Sequence, residues 1–178
     1  RDQRHKFGLL IPLTFAAILT PVQIGVGDWI ANVVAEQQPT KLAAMEGLYE
    51  TGDRVALSLG GLYYDDELHY AIEIPFGLSL LIHHDIDGVV QGLEDTPVDE
   101  RPPVNVVHLA YNVMVGIGSA QLLVAFLFGW TWWRRRRIPQ SPWFLRAVAV
   151  SGVASIVAME AGWITTEVAR QPWIVYGI

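Results

Sequence analysis

The stretch WFLRAVAVSGVASIVAMEAGW, residues 143–163, decides the fold. It is rich in Ala, Val, Ile and Leu, and its only charges are Arg146 near the start and Glu160 near the end. A helix of roughly 20 apolar residues crosses the hydrocarbon of a bilayer. The stretch therefore predicts a transmembrane helix over about Trp143–Ile164. A carboxylate at membrane depth is costly and by default marks a functional site with a partner. So close to a helix end, Glu160 could also snorkel to water or pair with an Arg. Both readings stand on the residues alone.

Two more stretches are long enough to span, about Phe7–Val26 and about Val104–Trp133. The first contains Pro12 and Pro21, which membrane helices tolerate because neighbours re-satisfy the freed carbonyls. Trp130, Trp132, Trp133, Trp143 and Trp163 fall near predicted helix ends, as an aromatic belt would. The chain has 178 residues, is 52% hydrophobic and has no Cys. Disulfides, thiolate metal sites and cysteine nucleophiles are thereby excluded. No internal repeat, Gly-rich phosphate loop, metalloprotease word or Ser/His/Asp arrangement stands out.

The charges set an orientation. Arg1, Arg4, Lys6, Arg134–Arg137 and Arg146 flank one membrane face. Between Asp28 and Arg101 there are 15 acidic residues against three basic ones, Lys41, Arg54 and Arg101. The positive-inside rule then makes Arg1–Lys6 and Arg134–Arg137 cytoplasmic and the intervening loop, residues 27–103, extracytoplasmic. The Arg run reads as a topology anchor, and no nucleic-acid partner is expected. The expected class is an all-α polytopic membrane protein of three transmembrane helices with one long extracytoplasmic loop. Its segments are residues 1–26 (helix with cytoplasmic start), 27–103 (loop), 104–133 (helix), 134–142 (Arg-rich loop) and 143–178 (helix and outer tail).

A connection of that length is expected to be functional. Pro39–Glu50 reads as a short helix, with Pro39 suited to its first turn. Gly60-Gly61 reads as a break. Tyr70–Ile82 is apolar around Glu73 and Pro75 and is a candidate interfacial segment. Gln91–Pro103, rich in acids and prolines, is expected to be irregular. Lys41 and Glu46, five apart, would lie about 140° apart on an ideal helix and flank a ligand instead of pairing. On pattern alone they read as a solvated surface helix. Met114, alone in an apolar helix, reads as packing. Of the histidines, His108 near the start of the second span is the best spare ligand, with a structural role expected.

Three words change these readings. Lys41-Leu42-Ala43-Ala44-Met45-Glu46, Met159-Glu160-Ala161-Gly162-Trp163 and Ala169-Arg170-Gln171-Pro172-Trp173 resemble subunit I of cytochrome bd-type quinol oxidases, in order and over essentially the whole chain. The chain looks like an internal segment of that subunit with the short form of its quinol loop. The resemblance implies a quinol:dioxygen oxidoreductase of a bacterial or archaeal cytoplasmic membrane that generates a proton motive force.

By the same resemblance, Lys41 and Glu46 bind and oxidise quinol. Met114 is an axial ligand of the low-spin haem b, and Glu160 of the high-spin haem b. Haem d or a third haem b would complete the set. Arg170 is a candidate partner for a haem propionate, and Gly27-Asp28-Trp29 fits the family's exit from the first helix, where Asp28 reads equally as a simple cap or a surface acid. The implied partners are the remainder of subunit I with its histidine ligands, a second membrane subunit, quinol, dioxygen and the lipid bilayer. The segment alone is expected to be inactive.

This chain departs from the family at three points. Asn112 stands where the family often has Arg, Ala169 replaces a Gly, and Ile156 stands where the family can carry a Trp. A transporter or channel segment using Glu160 as a proton or cation site is the alternative, and a non-catalytic membrane subunit a third; both predict no haem.

Overall fold

The three apolar stretches each form one long helix in a computed structural model that describes residues 3–173. They are α1 (Gln3–Gln37), α4 (Val104–Arg135) and α5 (Pro142–Val168). Each is long and apolar enough to cross a membrane, and few residues of any of them are buried within the chain. Phe7, Ile11, Phe15, Ile18 and Val22 form an exposed apolar face on α1 at three- and four-residue spacing. Such faces need lipid or other protein against them. The protein is a multi-pass, mainly helical membrane protein. Arg1, Asp2 and residues 174–178 of the expected tail lie outside the described residues.

The chain divides into two compact units. In the first, residues 3–26 with 115–159, Leu13, Phe128 and Phe144 form a small core with Leu9, Leu10, Val124, Trp132 and Val148 around it. Gln121 Nε2 on α4 donates to Ser155 Oγ on α5 at 2.8 Å. With a second bond from Nε2 to Ser151 O at 3.3 Å, it satisfies a donor group that the bilayer could not. A cleft of about 1010 Å³ in this unit is lined by Lys6, Phe7, Trp132, Arg136, Arg137 and Leu145, among others.

The second unit, residues 27–114 with 160–173, holds the long loop. Here α1 runs past its apolar stretch to Gln37. Asp28, read as a simple cap or a surface acid, sits inside α1, with Oδ2 3.8 Å from His84 Nε2. α2 (Pro39–Glu46) begins on its proline and stops at Glu46, four residues short of the expected end. Gly47 stops it by taking φ 67° and donating its N–H to Ala43 O.

Two short antiparallel pairs follow, a local addition that the all-α expectation did not contain. β1 (Leu57–Leu59) pairs with β4 (Ile72–Ile74), and β2 (Leu62–Tyr64) with β3 (Glu67–His69). Asp65 and Asp66, both at positive φ, make the two-residue turn that suits the twist of a hairpin. Gly60-Gly61, at φ 69° and 104°, is the expected break. Tyr70–Ile82 is not one segment: β4, a turn with Phe76 at φ 61°, and α3 (Gly77–His83) divide it. Gln91–Pro103 is irregular apart from single 3₁₀ turns at Leu93–Asp95 and Val98–Glu100.

Two clusters fix α2. Leu42 packs with Leu78, Ile82 and Val90 against Ala31, Val34 and Ala35 of α1. Ala43 and Ala44 pack with Leu93, Val104, Val107 and Ala169. Small residues at positions 43 and 44 let α2 approach the start of α4 and the end of α5 closely. Lys41 and Glu46 are thereby carried to two different neighbours.

Candidate functional site

Glu46 is 3% exposed at the C-terminal end of α2. The Tyr111 hydroxyl on α4 faces its carboxyl. Neither carboxyl oxygen has a partner of full hydrogen-bond geometry among the described residues. Burial without compensation pushes the carboxyl up to about 7, with Tyr111 working against the shift. A carboxyl poised near neutrality can take up and release protons at working pH.

Lys41 turns the other way. Its Nζ is 3.5 Å from Thr166 O on α5. Burial holds the ammonium below its usual range; Glu167 opposes this and Arg170 adds to it. The two residues do not pair, as their spacing on the helix predicts. They mark two sides of one short helix, Lys41 against α5 and Glu46 against α4.

A polar stripe on the first turns of α4 grips the loop. Asn105 brackets Tyr63, accepting from its N–H at 2.8 Å and donating to its carbonyl at 2.7 Å. His108 is fully buried, with Nδ1 2.8 Å from Met45 O and Nε2 2.8 Å from Gly60 O. Asn112 Oδ1 accepts from Gly60 N–H at 2.9 Å, and its Nδ2 donates to His108 O at 2.9 Å. Asn112 thus works on the loop backbone, where a longer, charged side chain would not fit the same pair of bonds. Tyr111 was not singled out by sequence reasoning. The signal was present: Asn105, His108, Tyr111 and Asn112 recur at three- and four-residue intervals in an otherwise apolar helix.

Met114 lies further along α4, half-buried, with Sδ against Gly162 of α5; a Cβ on that glycine would stand 2.8 Å from the sulfur. Added Cβ atoms at Gly116 and Gly118 would meet nothing within 4 Å, so this part of α4 leaves room for a close neighbour. Ala161 and Thr165 on α5, with Ala169 just after it, form the buried stripe. Glu160 is about 100° round the helix from Ala161 and about 200° from Gly162. It is exposed beside Ile156, Trp163 and Ile164, and no hydrogen bond or ion pair reaches it among the described residues. Met114 thus packs on Gly162, whereas Glu160 lies on the exposed side of α5.

Arg170, in the turn after α5, is ion-paired with Glu167. Ala169 does not take positive φ; it is 1% exposed in the core, where a small side chain is needed. The Gln171–Pro172 peptide is cis.

Whether a haem suits these residues can be judged from their chemistry. Among the described residues no three His, Cys, Asp or Glu side chains gather into a metal cage. Two single donors, a thioether beside a glycine and a carboxylate on an apolar face that no described residue pairs, have the chemistry to hold a haem iron.

The fold and site define a membrane-spanning helical segment with a buried acid–base loop packed on two of its helices. The family model described as cytochrome bd terminal oxidase subunit I matches residues 1–178, and the chain belongs to that family. It is 36% identical over 175 residues to a putative cytochrome bd menaquinol oxidase subunit I of Bacillus subtilis, covering 97% of this chain and 39% of that protein. It is 33% identical over 165 residues to a cytochrome bd ubiquinol oxidase subunit 1 of the same organism, covering 85% and 35%. The structure of the bd oxidase from Geobacillus thermodenitrificans superposes with a TM-score of 0.81 at 39% identity, covering 96% of this chain and 39% of that one. The chain thus spans about two fifths of the length of these relatives.

Proposed function

We propose that this chain is the quinol-oxidising and haem-ligating segment of a respiratory quinol:dioxygen oxidoreductase that builds a proton motive force. The observation that carries the reading is Glu46: a buried carboxyl without a full partner among the described residues, poised near neutrality and packed on a transmembrane helix. Quinol must lose two protons and two electrons to become quinone. The Glu46 carboxylate takes one proton from a quinol hydroxyl, and Lys41 orients the ring from the other side of α2. With the loop of residues 27–103 extracytoplasmic and Arg134–Arg137 cytoplasmic, the protons leave on the outer side.

Met114 would hold the low-spin haem b and Glu160 the high-spin haem b. Bound haems, including haem d or a third haem b, would supply the electron acceptors and the dioxygen-reducing chemistry. A neutral thioether favours ferrous iron, and a carboxylate offsets the charge of ferric iron, so the two ligands separate the roles of the two sites. Arg170, already held by Glu167, stands ready for a propionate. The remainder of the subunit supplies the histidine ligands, and a second membrane subunit completes the assembly.

The test uses the full-length parent in its membranes. Quinol-driven oxygen uptake in Glu46→Gln should fall about 100-fold, within the range that a positioned proton acceptor contributes, with the haem spectrum unchanged. A wild-type rate in that variant, or no quinol-driven uptake by the parent, overturns the reading.

A further inference from the structure

α4 closes at Arg135, and Arg136 follows at φ 51°, its N–H donating to Trp132 O at 2.9 Å. Positive φ is unfavourable for a residue with a Cβ, and Gly is the usual choice at such a helix end. Here the turn brings Arg136 and Arg137 to the wall of a cleft beside Trp132, where Lys6 from the start of α1 joins them. Arg134 does a different job, its guanidinium lying over the Trp130 ring at 5.7 Å from the centroid. A topology anchor accounts for four arginines in a row. It does not require that two of them line a cavity.

The cleft measures about 1010 Å³, at the upper end of the roughly 300–1,000 Å³ of small-molecule sites. Among the described residues no side chain lining it is acidic, and no ion pair reaches Lys6, Arg136 or Arg137. The rest of the wall is largely apolar and comes from the spans, with Phe7 and Leu10 on α1 and Leu145 on α5. Phe7 is also part of the exposed apolar face of α1, so the cleft is continuous with a lipid-facing surface. Unpaired cations beside an apolar wall match an amphiphile with an anionic head. A soluble anion would serve the cations and leave the apolar wall in water, at a cost that grows with its area.

We propose that this cleft binds one anionic phospholipid, with its phosphate held by Lys6, Arg136 and Arg137 and its acyl chains laid on Phe7, Leu10 and Leu145. A guanidinium fork donates two N–H groups to one phosphate, and basic pockets between membrane helices hold lipid headgroups in this way. Trp132 suits the boundary between head and chains, where amphipathic rings settle. The site lies in the unit that contains none of Lys41, Glu46, Met114 and Glu160, so it does not depend on the function proposed above.

The experiment loads the delipidated full-length parent with phosphatidylglycerol that carries a photoactivatable group on one acyl chain, and maps the crosslinks by mass spectrometry. Crosslinks should fall within residues 3–10 and 132–145. Unlabelled phosphatidylglycerol should displace the probe at least about 10-fold better than phosphatidylcholine, which has no net charge. In Arg136→Gln/Arg137→Gln the affinity for the probe should fall about 30-fold, roughly fivefold for each cation lost. Arg134 and Arg135 remain in that variant to anchor the topology, and if it does not fold, the wild-type map and competition decide. No crosslink in the two segments, equal displacement by phosphatidylcholine, or unchanged affinity in the folded variant overturns the proposal. Displacement by inorganic phosphate as readily as by phosphatidylglycerol overturns it too, because it would show a soluble-anion site.

Discussion

The Met114 sulfur packs on the backbone of Gly162, where a Cβ would stand 2.8 Å away. This contact separates a ligand from a packing residue. Gly162→Ala gains about 1 kcal/mol of helix propensity, so α5 should be no less stable. The added methyl must displace the thioether, the free end of a flexible side chain. In the full-length parent the reduced-minus-oxidised spectrum should lose or shift its low-spin haem signal and keep the high-spin one, as Met114→Ala should. A low-spin signal unaltered in both variants removes Met114 from the iron.

Glu160 offers the complementary case. It is exposed on an apolar face and holds nothing within the described residues, so truncation opens no cavity in this chain. Glu160→Ala should insert and fold as wild type, since it removes a charge from membrane depth. Selective loss of the high-spin haem signal is the expected outcome. If both haem signals survive, its partner is another protein group and the ligand assignment fails.

Lys41→Ala probes the quinol side. The Thr166 contact at 3.5 Å is at the limit of hydrogen-bond geometry, so the stability cost should stay below about 1 kcal/mol. If Lys41 orients quinol, KM should rise about 10-fold while kcat changes little, the signature of lost uniform binding. A KM within about twofold of wild type places Lys41 outside the site.

The spans were legible because hydropathy is a one-dimensional signal. The ends were not. α2 stops at Glu46 because Gly47 adopts positive φ, and α1 runs on to Gln37 because Ala31, Val34 and Ala35 find a core in the loop. Both are tertiary effects. The candidate residues were picked out by family words, and their surroundings were not legible in the sequence. Lys41-x₄-Glu46 says that the two diverge, but only packing shows that Glu46 meets Tyr111 while Lys41 meets Thr166. His108 reads as a lone polar residue until the Gly60 turn and Met45 arrive from residues 48 and 63 positions away.

The carboxyl of Glu46 makes the loop's stability depend on pH. Burial raises it from 4.5 to about 7, so the folded state binds its proton more tightly than the unfolded state. The stabilisation is complete below about pH 4.5 and is lost as pH rises through about 7. At about 1.4 kcal/mol per unit, the shift corresponds to roughly 3 kcal/mol. Amide-exchange protection over residues 39–46 and 104–112, corrected for intrinsic rates, should therefore fall between pH 5 and pH 8 in the wild type. Glu46→Gln keeps the shape and carries no titrating proton, so its protection should be nearly flat across the same range. Parallel curves for the two proteins would show that the carboxyl is solvated, and with that its role as a buried proton acceptor would be lost.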